Sequence, residues 1–363
     1  MPPPTTSLDM AAFQASSYDP PFSQHYSFLF SASAEAEHSF SSHESRVIAE
    51  CELPLIDLKD LQCGNEEERK DCVAEIANAS SEWGFFQVVN HGISTELLKE
   101  IRREQKRFFH RPFEKKVGSK LLNESYRWGN PTATSLDQFS WSEAFHVPLS
   151  KLAEEGGCYE DEFRSLRELM QKVAGSMSEL ARILAGVLAK NLGCHEDFFA
   201  KSCSENTCFL RLNRYPPCPF SPETFGLMPH TDSDFLTILH QDHVGGLQLM
   251  KDSKWVSIKP NPEALIVNIG DLFQAFLCPL FIKLSDVAWS NDVYKSVEHK
   301  VMTNSKVERY SIAYFLCPSS DSIISSCKEP SRYKKFTFKE FRRQVQEDVK
   351  TTGYKVGLSR FLL

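Results

Sequence analysis

No stretch of this chain approaches 18 consecutive uncharged apolar residues, so nothing in it reads as a bilayer-spanning helix. No block of Lys and Arg runs beyond a few residues and the formal charge is −7, which argues against a nucleic-acid or anionic-membrane surface. No C-x-x-C pair occurs among the 11 cysteines, and Cys203-x4-Cys208 with Cys218 lacks a fourth partner at zinc spacing. Thiols scattered from Cys51 to Cys327 read as reduced and intracellular. No arginine precedes Arg46, and no basic segment followed by an apolar one opens the sequence, so a targeting leader is not expected. The expected compartment is the cytoplasm, with nuclear access open. What the chain does hold is aromatic bulk. Its 27 Phe and 5 Trp must be buried somewhere, which excludes disorder over the whole length.

Four regions follow from the texture. Residues 1–48 are rich in Ser, Pro, Ala and Phe without periodicity and are expected to form a disordered tail. Residues 49–200 carry a short strand at Leu53–Asp57 and a helix that starts with the acids at 66–68. A buried strand follows at 85–90. A helix capped by Ser94 then carries Leu97, Leu98, Ile101, Gln105, Phe108 and Phe109 on one stripe. A long helix from about residue 160 closes at Gly193. Residues 201–320 change to short runs of Val, Ile, Leu and Phe split by Pro, Gly, Asn and Asp. That spacing indicates an antiparallel sandwich or barrel. Residues 321–363 form a helical segment opened by the capping box of Thr337 and Glu340. The fold class is α+β.

Among 11 histidines the informative one is His230, in Pro229-His230-Thr231-Asp232. Residues i and i+2 of a strand share a face, so His230 and Asp232 could grip one ion. Spacing alone is weak evidence, since His195-x-Asp197 and His240-x-Asp242 have the same form. His195 belongs to a helix start, and His240 sits at a strand end near Gly245-Gly246. In Ser296–Val301, alternation puts His299 on the face of Val297 and Val301 and turns Glu298 and Lys300 to solvent. A histidine on an apolar face is more often a satisfied core residue than a ligand. A hairpin turning at Asn304-Ser305-Lys306 would set Arg309 opposite His299, with Ser311 on the same face in the chain's one Arg-x-Ser. A face holding a histidine, a guanidinium and a hydroxyl is costly to bury without a bound anion and a metal. Two histidines and a carboxylate suit non-haem Fe(II), leaving positions for a 2-oxo acid and O2. The far carboxylate of that acid would meet Arg309 and Ser311. Zinc-dependent hydrolysis also uses such ligands, but gives the Arg-x-Ser no role.

The sequence resembles the plant soluble 2-oxoglutarate/Fe(II)-dependent dioxygenases over about residues 50–350. The matching segments are Leu53–Leu58, Glu82–Gly92, Asn213–Cys218, His230-Thr231-Asp232, Gly245–Gln248, Asn268–Asp271, and Ser296–His299 with Arg309-Tyr310-Ser311. The resemblance implies a double-stranded β-helix (jelly-roll) core buttressed by N-terminal helices and a C-terminal helix. It implies Fe(II) held by His230, Asp232 and His299. It also implies 2-oxoglutarate held by Arg309, the catalytic cation of the set, with Ser311, Tyr215 and Asn213. Ascorbate would be supportive, and His91 would be a turn residue. Tyr126–Ser135 and Trp141–His146 are similar to gibberellin 2-oxidases acting on C20 gibberellins. The implied activity is O2-dependent hydroxylation at C-2 of a diterpenoid acid by a monomeric enzyme. Trp128, Trp141 and Phe145 would supply apolar walls and Arg127 a charge, against core packing or a surface ion pair for each. A gibberellin 20-oxidase-like or flavonoid-type enzyme is the alternative within the family.

One departure stands out. Residues 275–287 interrupt the family pattern between Gln274 and Ala288, and a retained intron or gene-model error explains them most simply. If they are real, displacement of the His299 strand is open, and a catalytically impaired variant is then the alternative to an active enzyme. The form without them is expected to fold and turn over better.

Overall fold

The computed structural model describes residues 16–29, 49–118, 125–153, 163–193, 199, 202–220, 224–275, 293–324 and 332–363. The principal helices are α1 Glu66–Glu82, α2 Thr95–Phe109, α3 Arg164–Asn191 and α4 Phe338–Thr352. The first half of the chain contributes strands β1 Glu50–Cys51, β2 Leu55–Asp57, β3 Phe85–Val89, β4 Tyr126–Trp128 and β5 Glu143–Pro148. The second half contributes β6 Phe209–Tyr215, β7 Phe225–His230, β8 Leu236–Gln241, β9 Leu247–Lys251, β10 Lys254–Ile258, β11 Leu265–Ile269, β12 His299–Met302 and β13 Arg309–Leu316.

These strands form an eight-stranded sheet, β2-β3-β11-β8-β13-β6-β5-β4, and a five-stranded sheet, β1-β10-β9-β12-β7. Alternation decides what each face meets. Tyr215 and Ile266 of the large sheet cluster with Leu247, Leu249 and Val301 of the small one, forming the inter-sheet core. The opposite face of the large sheet, through Leu210, Leu212, Ile238, Val267 and Ile312, packs on the stripes of α1, α2 and α3. This is a jelly-roll core with helices on one side, as the sequence implied. Strands from either side of residue 200 share the one large sheet. No helix among the described residues is long and apolar enough to cross a membrane.

Three expectations need correction. Residues 16–29 are not a loose part of the tail. Phe22, Tyr26 and Leu29 are buried against Phe139, Trp141 and Cys218, and Phe22 stacks on Trp141 at 4.5 Å between ring centroids. Aromatic anchors spaced along a polar segment gave no periodic signal, yet three buried side chains are enough to dock it. Next, β12 and β13 do not form a hairpin. The first pairs with β7 and β9 in the small sheet, the second with β6 and β8 in the large one. Finally, Lys300 is buried rather than solvent-facing, its ammonium 4.0 Å from the ring centroid of Trp255 and 5.3 Å from that of Phe225.

Apart from Ala275, which ends a short helix at Asp271–Ala275, the interruption at 275–287 lies outside the described residues. The strand beyond it is in place, with His299 paired to His230 on one side and to Leu249 on the other.

Candidate active site

The pairing of β12 with β7 sets two imidazoles side by side, 4.3 Å between ring centroids. Asp232 joins them from the turn after β7, so it is turn geometry and not strand alternation that aims its carboxylate. Its Oδ1 lies 3.6 Å from His230 Nε2 and 3.8 Å from His299 Nε2. Among the described residues this is the one cluster of three metal-capable side chains, with all three ligand atoms within 4.8 Å of one another.

The surrounding contacts leave those atoms available. His230 Nδ1 donates to the Met228 carbonyl at 2.8 Å and His299 Nδ1 to the Val297 carbonyl at 3.1 Å, which leaves each Nε2 lone pair facing the cluster. Asp232 Oδ2 accepts from Thr237 Oγ1 at 2.6 Å and Asn268 Nδ2 at 2.8 Å, leaving Oδ1 free. Burial, reinforced by His299, pushes His230 down to about 3, so it is neutral at pH 7. Burial also raises Asp232, but the two histidines and its hydrogen bonds outweigh that and hold it at about 2. A neutral imidazole at His230 and a carboxylate at Asp232 are protonation states a divalent cation requires. The residues fit Fe(II).

The large sheet supplies a cation opposite. Register places Arg309 beside Tyr215, and Ser311 between Asn213 and Gln241. Arg309 is buried, its guanidinium 4.9 Å from the Tyr215 ring centroid, and its Nη2 donates to Gln241 Oε1 at 2.8 Å. Nε and Nη1 are buried with no hydrogen-bond partner. Two unsatisfied guanidinium donors in a protein interior are expensive, and a carboxylate taken on either edge of the guanidinium, shared with the second Nη2 hydrogen, would satisfy one of them. Asn213 Nδ2 donates to Ser311 Oγ at 3.2 Å, fixing the hydroxyl nearby. The same pocket thus fits the carboxylate of a 2-oxo acid. Gly226 on β7 makes the Tyr215 position available, since a Cβ there would sit 2.6 Å from Tyr215 Cδ1.

The residues expected to line a substrate pocket separate. Phe145 points to the helix side and stacks on Phe108. Trp141 and Trp128 pack on the docked 16–29 segment. Arg127 is exposed, with Nη1 on its own neighbour's carbonyl, so it offers no buried charge. His91 forms the expected turn, its Nδ1 accepting the Ile93 N–H. The inward-facing cation is instead Arg211, on the Asn213 and Tyr215 face of β6 and paired across strands with His146 and Ala313. Its Nε is buried without a hydrogen-bond partner. Burial pushes its guanidinium below the usual range, while Tyr215 and Asp232 draw it back up, which puts Arg211 within electrostatic reach of the ligand cluster.

Sequence reasoning missed several supporting residues. Thr237 and Gln241 carry no local motif, because polar residues on strands look alike until pairing is known, and Asn268 lies in a matching segment without a role assigned to it. Gln105 left a readable signal, a glutamine on the apolar stripe of α2. Its Nε2 donates to the carbonyls of Asn213 and Ser311, tying the backbones of β6 and β13 together.

Comparison with known proteins agrees with this geometry. Residues 206–318 match the 2OG-Fe(II) oxygenase superfamily, and residues 53–163 match the N-terminal region described as non-haem dioxygenase in morphine synthesis. Gibberellin 2-beta-dioxygenase 8 of Arabidopsis thaliana is 53% identical over 351 residues, 95% of this chain and 98% of that protein. Gibberellin 2-beta-dioxygenase 6 of Oryza sativa subsp. japonica is 51% identical over 365 residues, covering 97% and 98%. Among solved structures, JOX2 in complex with 2OG, Fe and JA superposes with a TM-score of 0.70 at 32% identity, covering 91% of this chain and 97% of that one.

Proposed function

We infer the function from membership: the chain belongs to the 2OG-Fe(II) oxygenase superfamily, among the gibberellin 2-beta-dioxygenases, and it hydroxylates gibberellins at C-2. In this reading His230, Asp232 and His299 hold Fe(II). Arg309 and Ser311 take the far carboxylate of 2-oxoglutarate, with Tyr215 against the guanidinium and Asn213 orienting the hydroxyl. The observation that carries the reading is the open three-ligand cluster beside a buried guanidinium with two unpartnered donors. A zinc hydrolase has no use for the second half of that pair. A binding protein crippled at the His299 strand would not keep His299 in register with His230.

Iron with 2-oxoglutarate and O2 supplies the oxidising power to convert an unactivated C–H into C–OH, with succinate and CO2 as coproducts. The chain's own residues do the rest. The two Nδ1 donors and the two donors on Asp232 hold the ligating atoms at fixed positions. Arg309 and Ser311 orient the cosubstrate through a charge-assisted fork. No protein acid or base is required at the reacting carbon, so the remaining task is to position it. Arg211 is the residue proposed for that task. A gibberellin is a rigid acid, and an inward-facing guanidinium with a buried free Nε can anchor its carboxylate.

The preferred substrates are proposed to be C20 gibberellins. The decisive experiment supplies C20 gibberellins, C19 gibberellins and flavanones in competition and identifies products by mass spectrometry, with succinate release as the common readout. A 2-hydroxylated C20 product as the major species is the expected result. Oxidation at C-20 or hydroxylated flavanone would replace the assignment, and O2-independent turnover would remove the class.

A further inference from the structure

We propose that Lys355 is a positioning residue of the metal centre, a cation from the C-terminal segment that holds the His230–Asp232 turn in ligating geometry. The inference rests on the assignment of His230, Asp232 and His299 as metal ligands. Helix α4 ends at Gly353, whose φ of 79° is the left-handed conformation that closes a helix and redirects the chain. Two residues later the Lys355 side chain, only 10% exposed, turns inward.

Its Nζ makes two polar contacts, beside the Phe341 ring at 5.7 Å to the centroid. It donates to the Thr231 carbonyl at 2.8 Å, the peptide oxygen that lies between the two ligands of the turn. It also pairs with Asp271 Oδ2 at 2.7 Å. Asp271 is itself a junction. Its backbone N–H donates to the Asp232 carbonyl at 2.9 Å, Thr231 Oγ1 donates to its Oδ2 at 3.3 Å, and Ser296 Oγ donates to its Oδ1 at 2.7 Å. Ser296 stands three residues before His299, so this one carboxylate touches the segments that carry all three ligands.

Lys355 is the cation paired with Asp271 among the described residues. Removing it leaves a carboxylate only 5% exposed with hydroxyl donors alone, and it leaves the Thr231 carbonyl short of a donor. Both deficits are relieved if the turn opens to water, and opening moves His230 and Asp232 away from His299. A lysine that merely packed the C-terminus would lower stability without changing metal affinity.

The test uses the full-length metal-free protein and Co(II) alone as the O2-inert probe, with affinity read by calorimetric titration and thermal midpoints recorded in parallel. Lys355→Met is expected to weaken Co(II) binding by about tenfold or more, in the range typical of groups that orient metal ligands. Lys355→Arg, which keeps the charge, is expected to restore most of it. Co(II) affinity in Lys355→Met within about twofold of the parent, even with a lowered midpoint, overturns the proposal by showing a packing role only. Should Lys355→Met fail to fold, Lys355→Gln takes its place, with the same weakening expected and the same near-parental affinity overturning the proposal. His299→Ala is the separate control. If it binds Co(II) as well as the parent does, the ligand assignment falls, whatever Lys355 does.

Discussion

Replacing Arg309 with lysine keeps one positive charge in the pocket and removes the fork. In the parent, Nη2 gives one hydrogen to Gln241 while Nε and Nη1 are buried and unpartnered, so the second Nη2 hydrogen and one of these flanking donors are available to one carboxylate. A lysine ammonium presents a single point charge from a different position and can replace at most one of those contacts. A hydrogen bond to a charged group is worth about 1.5–3 kcal/mol, and each 1.4 kcal/mol is about tenfold in binding. Loss of one arm therefore predicts a rise of roughly 10- to 150-fold in the KM for 2-oxoglutarate. The assay is succinate formation at saturating iron and gibberellin over a wide range of 2-oxoglutarate. Co(II) affinity measured on the same protein should stay near the parental value, because Arg309 touches none of the three ligands. A 2-oxoglutarate KM within about threefold of the parent would refute the reasoning, since it would mean that the unpartnered donors do not face the cosubstrate.

Other outcomes follow from the same geometry. Phe22→Ala should cost about 3–5 kcal/mol in urea unfolding, the usual loss on emptying a buried phenylalanine site, because Phe22 is buried against Trp141; a loss below about 1 kcal/mol would mean that residues 16–29 contribute little to the fold. Arg211→Met should raise the gibberellin KM by roughly 10- to 100-fold while leaving the 2-oxoglutarate KM near parental, and equal effects on both would remove Arg211 as the substrate anchor. Burial, with Arg211, Arg342 and Arg127 nearby, pushes His146 down to about 3 from its ordinary 6.5. The unfolded chain therefore binds a proton that the native state lacks between those values, and stability is lost as pH falls below 6.5. From pH 7 to pH 5 this one histidine should cost at most about 2 kcal/mol. His146→Gln should shrink the difference between urea midpoints at the two pH values, and an unchanged difference would sink the attribution.

Periodicity and capping were legible in the sequence because they are local. Ser94 caps α2, and Thr337 and Glu340 form the capping box of α4 where the residue pattern put them. The strand segments after residue 207 were readable for the same reason. Several real strands were not read as strands, among them β5 and most of β7. β7 carries Gly226 and Pro229, and β5 ends at Pro148, so turn-type residues masked both. Pairing is not local, and there the reading failed: the short turn between His299 and Arg309 suggested a hairpin, whereas the jelly roll sends the two strands to different sheets. The seven residues singled out for metal and cosubstrate still meet as a triad and a neighbouring anion pocket, because either arrangement turns them toward one interior. The substrate residues were read wrongly for a related reason. Phe145 and Arg127 were chosen by chemical type, and the pleat and exposure that decide their direction emerge only once β5 has its partners.

Strand β6 shows how tightly parity governs this site. Arg211, Asn213 and Tyr215 face the interior, while Leu210, Leu212 and Arg214 face the other way. Arg214 is almost fully buried on that side and is held by three carboxylates, Glu143 at 2.7 Å, Asp19 at 2.8 Å and Glu308 at 3.0 Å. Glu143 also accepts from Lys116 and from Tyr126 Oη at 2.5 Å each. A slip of one residue would carry Arg214 into the pocket, take it from Glu143, Asp19 and Glu308, and turn Tyr215 away from Arg309. Breaking a buried ion pair from one side costs about 3–5 kcal/mol, far more than sliding a neutral strand would. The buried charges behind the sheet therefore act on the chemistry in front of it. By making one register of β6 much more stable than its neighbours, they decide which three side chains of the strand face the interior. Asp19 extends that control to the 16–29 segment, so a stretch of sequence with no periodicity of its own helps to set the register of the strand behind the active site.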